Sequence, residues 1–209
     1  MAITYPISLP TSIGYASISI AASSAVAVSE SPFTFTQQVV AHAGQRWEAT
    51  IELPPTHNDK SEDWVAFLLS LKGPVGTFLL QDNLNTTPRG SASGDSIISV
   101  DGGSQTGSSL LVKSGPISAD GYLLAGDWIQ LGSAGTSRLY KVLEDVNTDA
   151  LGGAEIEIFP DLRSSPQDGD TVIYNDCKGV FRLSEPTSTW TIDNRNTYKV
   201  SFKAVEVIE

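Results

Sequence analysis

Oxygen-bearing side chains recur at alternate positions in residues 145–149, which read Asp-Val-Asn-Thr-Asp. Alternate residues can turn their oxygens toward one ion, and this is the spacing of the first three ligands of a calcium-binding loop. Two later positions of that pattern hold unsuitable residues, since Ala150 replaces a glycine and Ile156 replaces a bidentate glutamate. The segment therefore favours a solvated turn over a calcium site.

A second candidate is Ser96 in residues 94–97, Gly-Asp-Ser-Ile, which are similar to the nucleophile block of the GDSL esterases. Such a serine needs a histidine base, supplied in that family from further along the chain. The only histidines here, His42 and His57, both precede the block. A turn followed by the start of a strand explains the segment without catalysis.

Glu155 and Glu157 form a pair of carboxylates in the run Ala-Glu-Ile-Glu-Ile at residues 154–158. Because side chains alternate along a strand, the two glutamates share one face and the apolar residues share the other. Paired carboxylates can serve acid–base catalysis of glycoside hydrolysis. A solvent-facing row on a half-buried strand explains the alternation equally well and is the simpler interpretation.

Cys177 is the single cysteine, so it cannot form an intramolecular disulfide. A catalytic cysteine would need a histidine nearby to favour its thiolate. The composition does not indicate a disulfide-rich secreted scaffold, and we expect Cys177 to be an inert, partly buried thiol.

Four tryptophans raise the question of sugar binding, because aromatic faces stack on pyranose rings. Periodic positions among apolar neighbours place Trp47 and Trp64 in the predicted core. Trp128 and Trp190 alternate with polar residues and leave exposure at an interface or ligand site open. We find no phosphate-binding glycine motif and no zinc-spaced cluster. The sequence therefore predicts no catalytic, cofactor-binding or metal-binding residues, and a protein that is not an enzyme.

Short strands dominate the elements that would position these residues. Alternation at period two predicts strands in the first part of the chain and again near its end. Two prolines at 54 and 55 end one of these strands, because proline cannot donate to a strand ladder. The predicted strands are residues 15–20, 32–36, 46–53, 76–80, 189–192 and 197–207.

One amphipathic helix is predicted after the first strands. Four apolar residues fall at the spacing i, i+3, i+4 and i+7 and form a single stripe. Asp59 and Glu62 match a capping box at its start, and Gly73 with Pro74 marks its end. The stripe consists of Trp64, Phe67, Leu68 and Leu71.

The composition shifts to Gly, Ser, Asp and Thr over residues 83–108, which indicates a domain crossing. Beyond it, short strands separated by turns predict a small barrel. The long strand at 197–207 needs a larger sheet, so we predict one domain from residues 1–87 and 178–209, interrupted by a barrel at 88–177. The predicted barrel strands are residues 96–100, 110–113, 128–131, 137–143 and 154–159.

The charge balance excludes some functions. The net charge is −11, with 5 basic and 13 acidic residues in 88–177 against 8 and 11 in the remainder. An acidic chain has the wrong sign for gripping nucleic acid through its phosphates. Although residues 13–28 are rich in apolar side chains, no Lys or Arg precedes Arg46, so we expect no signal peptide. No apolar run reaches the 18 residues that suggest a membrane span.

Several blocks of the sequence resemble structural proteins of bacteriophage tails. Residues 47–55, the helix with Gly73, and residues 76–80 look like the ring-forming domain of siphophage distal tail proteins. The middle of the chain resembles virion proteins of the same tail-tip type. The blocks concerned are residues 121–131, 138–142, 154–163 and 179–183.

The resemblance implies a mainly β fold with one amphipathic helix: a β-sandwich-plus-helix belt domain with an inserted small barrel, OB-like or similar. It also implies a homo-oligomeric ring, six subunits in all, at the distal end of the tail in the virion, made in the host cytoplasm. Its partners would be the tail tube protein and the tail-tip hub protein, with DNA passing through the lumen. No cofactor and no membrane is implied. The alternative is a β-rich carbohydrate-binding module acting on the host cell surface.

Overall fold

The computed structural model of the protein describes residues 3–92, 97–194 and 196–208, with the backbone alone for Asn58 and Asp59. Strands account for 42% of the chain and helices for 9%, which confirms the mainly β class predicted from sequence. Within the described residues the elements are β1 (Ser17–Glu30), β2 (Gln37–Glu52), β3 (Thr56–His57), α1 (Asn58–Leu71), β4 (Thr77–Leu80), β5 (Ile98–Val100), β6 (Ser109–Lys113), β7 (Trp128–Leu131), β8 (Arg138–Val142), β9 (Ala154–Phe159), β10 (Thr171–Val172), β11 (Gly179–Leu183), β12 (Trp190–Ile192) and β13 (Thr197–Glu206).

The first sheet has seven strands in the order β1-β2-β13-β11-β4, while β3 and β12 pair with the first part of β13. The long strand β13 changes partners along its length: residues 197–200 pair with β3 and β12, and residues 201–206 with β2 and β11. Its side chains alternate as predicted, because Tyr198, Val200, Phe202 and Ala204 are buried.

Helix α1 packs its apolar stripe against this sheet. The four predicted stripe residues are all buried, which confirms the helix and its inward face. Lys72 and Gly73 adopt left-handed φ angles of 52° and 68°, so the predicted stop after Leu71 is also confirmed. The described residues hold no helix with the length and apolar character that a membrane crossing requires.

The predicted capping box at the start of α1 is wrong. The helix begins at Asn58, and His57 at its N-cap makes no side-chain cap hydrogen bond, so Asp59 lies inside the helix and is not its N-cap. Strand β3 ends at His57 and pairs with β13, so the sheet determines where the helix can begin. Ser61 instead donates its hydroxyl to the backbone oxygen of Thr56 at 3.1 Å.

The second sheet has six strands in the order β10-β5-β6-β9-β8-β7. Gln130 of β7 and Ile173, next to β10, exchange two backbone hydrogen bonds and bring the two ends of the sheet together. The sheet is therefore a nearly closed barrel, as predicted in its coarse form. The interior contains fully buried side chains, among them Ile98, Leu110, Ile129, Tyr140 and Ile156.

The two sheets share a contact built around Trp47 of β2. Its indole N–H donates to the backbone oxygen of Leu139 at 3.0 Å, and its ring meets Trp128 and Phe159 edge-on, each at 5.1 Å between centroids.

All strands of the first sheet lie within residues 17–80 and 179–206, and all strands of the second lie within 98–172. The boundaries at 87 and 178 stay a prediction.

Candidate interaction surface

A two-stranded ribbon projects from the first sheet. Strand β2 pairs with β13 only at residues 48–52, whereas its pairing with β1 continues to Gln37. Residues 24–30 and 32–44 are all exposed. At about 3.3 Å per residue, the strands run roughly 20 Å beyond the last half-buried pair. We call residues 24–44 the ribbon.

The tip of the ribbon is a turn with two exposed aromatic side chains. The backbone N–H of Ser31 donates to the oxygen of Thr36 at 3.0 Å, and that of Phe35 donates back to Ser31 at 2.9 Å. Phe33 is 91% exposed, and Phe35 is 74% exposed at a left-handed φ of 55°. The sequence prediction of a strand at 32–36 is therefore wrong, because these residues reverse the chain.

The ribbon has two chemically different faces. Val28 lies directly opposite Val39, and Val26 lies opposite Ala41. Residues opposite each other in an antiparallel pair share a face, so these four share one face, which we call the valine face. The next pair on this face toward the tip is Glu30 with Gln37. The other face is mixed, with the opposed pair Ser29 and Gln38 next to Ala27 opposite Val40, which is 45% exposed.

The ribbon is almost free of charge. Glu30 is the only Asp, Glu, Lys or Arg among residues 17–45, although the chain as a whole has 37 such residues. The Glu30 carboxylate accepts a hydrogen bond from the Gln37 amide at the base of the turn. A solvated surface normally carries charges of both signs, so this composition is typical of a surface that another molecule covers.

Both edges of the ribbon are open within the described part of the chain. Strand β1 ends the order of the first sheet, and β2 has only β1 as its partner along residues 37–47. The longest predicted strand, β13, offers no such edge, because it lies between β2 and β11 and has neighbours on both sides.

The candidate esterase block lies mostly outside the described residues, which resume at Ile97. Of the two histidines, His42 is exposed on the ribbon and His57 caps α1. The two histidines therefore lie on different elements of the fold, and neither is part of a cleft formed with the other among the described residues.

The candidate calcium loop directs its side-chain oxygens toward backbone N–H groups, some of them in the neighbouring segment 121–125. Asp145 accepts the N–H of Ala125 at 2.8 Å, and Asn147 accepts that of Gly121 at 2.7 Å. Hydrogen bonds from backbone N–H groups, led by that of Gly153, lower the pKa of the Asp149 carboxyl. No group of three or more metal-ligating side chains converges in the described residues. These interactions suit the solvated turn.

The glutamate pair is bound by neighbouring hydroxyls. Glu155 accepts a hydrogen bond from Ser109 at 2.6 Å, and Glu157 accepts one from Ser108 at 3.3 Å. Both glutamates lie on the outer face of the barrel, while Ile156 and Ile158 fill its interior. The arrangement is a solvent-facing row of the kind that alternation alone explains.

Cys177 is buried between the two sheets, with its sulfur 3.4 Å from the backbone oxygen of Trp128. Burial raises the pKa of the Cys177 thiol to about 12, so the thiolate is scarce at neutral pH. This environment is that of a packing residue.

The tryptophans do not form a stacking platform. Trp47, Trp64 and Trp128 are buried, and Trp190 is half-buried against the first core. The ring of Trp128 is covered by the ammonium group of Lys141 at 3.8 Å, and its N–H donates to Asp82 at 3.2 Å. Only 6% of Trp128 is exposed, so this residue packs inside the protein and is not presented at the surface.

A cavity of about 480 Å³ lies between residues 8–15 and β4. Its walls include Leu9, Ile13 and Tyr15, and Lys178 is the one formally charged side chain among its described lining residues. Burial raises the pKa of the Tyr15 hydroxyl, so it stays protonated at neutral pH. The cavity offers no pair of groups suited to acid–base catalysis.

The ribbon is the feature that sequence reasoning missed. Its small Ala and Ser residues have low strand propensity and look like the apolar part of a signal peptide. The available signal was the alternation itself, because Val26 and Val28 keep the even-numbered spacing of Ile18 and Ile20 in β1. No protein-family model matches the chain, and no curated protein matches it.

Proposed function

We propose that this protein is a structural subunit of a tailed bacteriophage, which assembles into a closed ring of six copies at the distal end of the tail. The ring connects the tail tube protein to the tail-tip hub protein in the virion and lets DNA pass through its lumen. The observation that carries the proposal is the ribbon, with two open edges and one charged residue.

Open strand edges favour assembly. Each edge presents a row of backbone N–H and C=O groups that can pair with another strand. A two-stranded hairpin is marginally stable by itself, so a ribbon of this length gains from additional strands. Because β1 and β2 run in opposite directions, the β1 edge of one copy can pair antiparallel with the β2 edge of the next. Such head-to-tail contacts produce a ring when the rotation closes.

Charge supports the same site of contact. Each copy carries a net charge of −11, so two copies repel one another over most of their surface. The ribbon, with Glu30 as its one acidic residue and no Lys or Arg, is the segment where identical chains can approach at the smallest electrostatic cost. An acidic chain also suits a conduit for DNA, since phosphate groups find few cations to bind.

The finer domain description belongs to this proposal. We assign residues 1–87 and 178–209 to a β-sandwich-plus-helix belt domain and residues 88–177 to an inserted OB-like barrel. The division is supported by the sheets, because no strand belongs to both of them. It is also supported by the hydrogen bond from the N–H of Asp176 to the oxygen of Thr86 at 2.7 Å, because this bond joins the two places where the chain passes from one predicted domain to the other. The assignment to phage tails rests on the sequence blocks that resemble distal tail proteins.

The test combines imaging with a binding experiment. Negative-stain electron microscopy of the purified full chain should show six-fold rings with a central opening. Mixing these rings with a tail tube protein from a siphophage virion that contains this chain should produce capped tubes. Particles without rotational symmetry that also fail to bind tube protein would overturn the proposal.

A further inference from the structure

The edge of β4 that faces away from β11 carries a parallel pairing that stops after one residue. Ile7 pairs with Phe78 in parallel orientation. Its N–H donates to the oxygen of Thr77, and its oxygen accepts the N–H of Leu79, each at 3.0 Å. In a parallel pair the next residue to bond would donate to the oxygen of Leu79 and accept the N–H of Gln81. Within the described chain, neither of these two groups has a hydrogen-bond partner.

The Leu79 oxygen is turned toward this open edge. Val180 of β11 lies opposite Leu79, but its N–H donates to the oxygen of Ser137 at 3.3 Å and its oxygen accepts the N–H of Val207 at 2.9 Å. Leu79 and Val180 are therefore a pair without mutual hydrogen bonds, and each turns its backbone groups away from the other. The oxygen of Leu79 thus lies on the same side of β4 as the N–H that bonds to Ile7.

The cavity of about 480 Å³ adjoins these two backbone groups. After Ile7 the chain leaves β4, and residues 8–15 form one wall of the cavity while Leu79 and Gln81 belong to the other. A volume of this size is within the range of pockets that bind small ligands. The apolar side chains of the lining are Leu9, Pro10, Ile13 and Leu79.

Lys178 adds a positive charge beside the open N–H. Gly179 pairs with Leu80, so Lys178 and Gln81 are the next residues on the two adjacent strands, and both line the cavity. The ammonium group of Lys178 forms no ion pair with any carboxylate in the described residues. A negatively charged acceptor at this end of the cavity would therefore meet both an N–H group and a cation.

We infer that the cavity binds the C-terminal residue of an extended peptide, which lies parallel to β4. The N–H of that residue donates to the oxygen of Leu79, and its carboxylate accepts the N–H of Gln81 and binds the ammonium group of Lys178. A peptide end fits better than an internal residue, because an internal residue has no charge to pair with Lys178. The apolar walls favour an apolar last side chain. This site is separate from the proposed ring contact and does not depend on it.

Two matched peptides test the inference on the full wild-type chain. One is fluorescein-labelled Gly-Ser-Gly-Leu with a free C-terminal carboxylate, and the other is the same peptide ending in a carboxamide. Fluorescence anisotropy gives the two dissociation constants. The carboxylate peptide should bind with a constant below about 1 mM, and the carboxamide peptide about 10-fold or more weakly, because it loses the charge-assisted hydrogen bonds.

Variants of Lys178 assign the effect to this cavity. Lys178→Met should weaken binding of the carboxylate peptide about 10-fold and change that of the carboxamide peptide by less than about two-fold, while Lys178→Arg should retain most of the affinity. Lys199→Met is the matched control, because Lys199 is exposed on β13 and its loss changes the net charge equally. Circular dichroism checks the fold, and the comparison of the two peptides on the wild-type chain requires no variant.

Hexanoate tests whether the site requires a peptide. It has a carboxylate and an apolar tail but no N–H for the Leu79 oxygen, so it should displace the labelled peptide at least about 10-fold less effectively than unlabelled acetyl-Gly-Ser-Gly-Leu. Equal displacement would indicate a site for small carboxylates and overturn the peptide assignment.

Three other results would overturn the inference as a whole. They are the absence of saturable binding, equal affinities for the two peptides, and equal losses in Lys178→Met and Lys199→Met. Each would leave the proposed ring standing, because the ring is tested by the mass of the assembled chain.

Discussion

Trp64 is the residue on which the contact between α1 and the first sheet depends most. It is fully buried, and its ring lies 5.7 Å from Phe67, 6.0 Å from Phe202 and 6.3 Å from Tyr15 between centroids. We predict that Trp64→Ala lowers the free energy of unfolding by about 3–5 kcal/mol, because it removes a large aromatic side chain from a packed core. Denaturant titration followed by circular dichroism measures this.

Trp64→Phe is the control for this prediction. The indole N–H of Trp64 has no hydrogen-bond acceptor among the described residues, so phenylalanine keeps a ring and removes an unsatisfied donor. Its cost should be less than half that of the alanine variant. Equal losses for the two variants, or a loss below about 1 kcal/mol for alanine, would mean that the ring does not support the core as described.

Arg163 and Glu206 form a buried ion pair between the barrel and β13, with 2.8 Å between nitrogen and oxygen and side chains 7% and 1% exposed. The same Glu206 oxygen accepts the backbone N–H of Trp47 at 3.1 Å. We predict that Arg163→Met costs about 3–5 kcal/mol of stability, because it leaves a buried carboxylate without its partner.

A double-mutant cycle tests the coupling within this pair. Adding Glu206→Gln to the Arg163→Met variant removes the uncompensated charge, so the double variant should be more stable than the sum of the single losses implies. Denaturant titration gives the free energies of unfolding of the wild type, the two single variants and the double variant. Losses that add within about 0.5 kcal/mol would show that the two charges do not interact.

At the scale of single residues, sequence predicted the apolar core better than the polar contacts. The stripe from Trp64 to Leu71 follows from helical periodicity, which is local in sequence. The partnership of Arg163 and Glu206 spans 43 positions and depends on how the barrel packs on the sheet. No pattern of residue types identifies such a pair before the two elements are placed in space.

At the scale of elements, the ribbon is separable from the body that carries it. We predict that replacing residues 26–41 by an Asn-Gly turn leaves a folded body whose unfolding free energy changes by less than about 1 kcal/mol. The reason is that these exposed residues pair only with each other in the described chain. Thermal and denaturant unfolding of the excised variant measure the change.

The same excised variant should remain monomeric under conditions in which the full chain assembles. Trp64→Ala serves as the comparison, since it weakens the body and leaves the ribbon intact. A loss above about 3 kcal/mol on excision would indicate that the ribbon supports the core. Assembly without the ribbon would show that the contact between copies lies elsewhere.

The strands illustrate why some elements were predictable and the ribbon was not. Strands β7 and β9 match their predicted bounds, because alternating or apolar runs between turn residues mark them clearly. Strand β1 was predicted to end near Ile20 and continues to Glu30. Its outer half is composed of small residues that have no strong local preference, and pairing with β2 decides its conformation.

At the scale of the whole molecule, the barrel has a core of its own, while Trp128 and Leu139 on its strands belong to the core of the first sheet. We predict that replacing residues 88–177 by a short Gly/Ser linker leaves a folded but less stable belt domain. The chain crossings lie together at Thr86 and Asp176, so a short linker closes the gap at small entropic cost. Stability falls because Trp47 loses its contacts with the barrel.

Tryptophan fluorescence reports the exposed surface in this variant. Emission should shift to the red, since Trp47 loses the rings of Trp128 and Phe159 and becomes hydrated. Circular dichroism should retain the β-sheet signal. If the deletion variant aggregates and the isolated segment 88–177 is also unfolded, the predicted boundaries are misplaced.

The most direct test of the proposed ring is the mass of the assembled protein in solution. Light scattering coupled to size-exclusion chromatography should give a mass six times the 22.2 kDa of the chain, independent of concentration above a threshold. The variant without residues 26–41 should elute at the mass of one chain under the same conditions. A full-length protein that stays at 22.2 kDa up to the highest soluble concentration would contradict the ring.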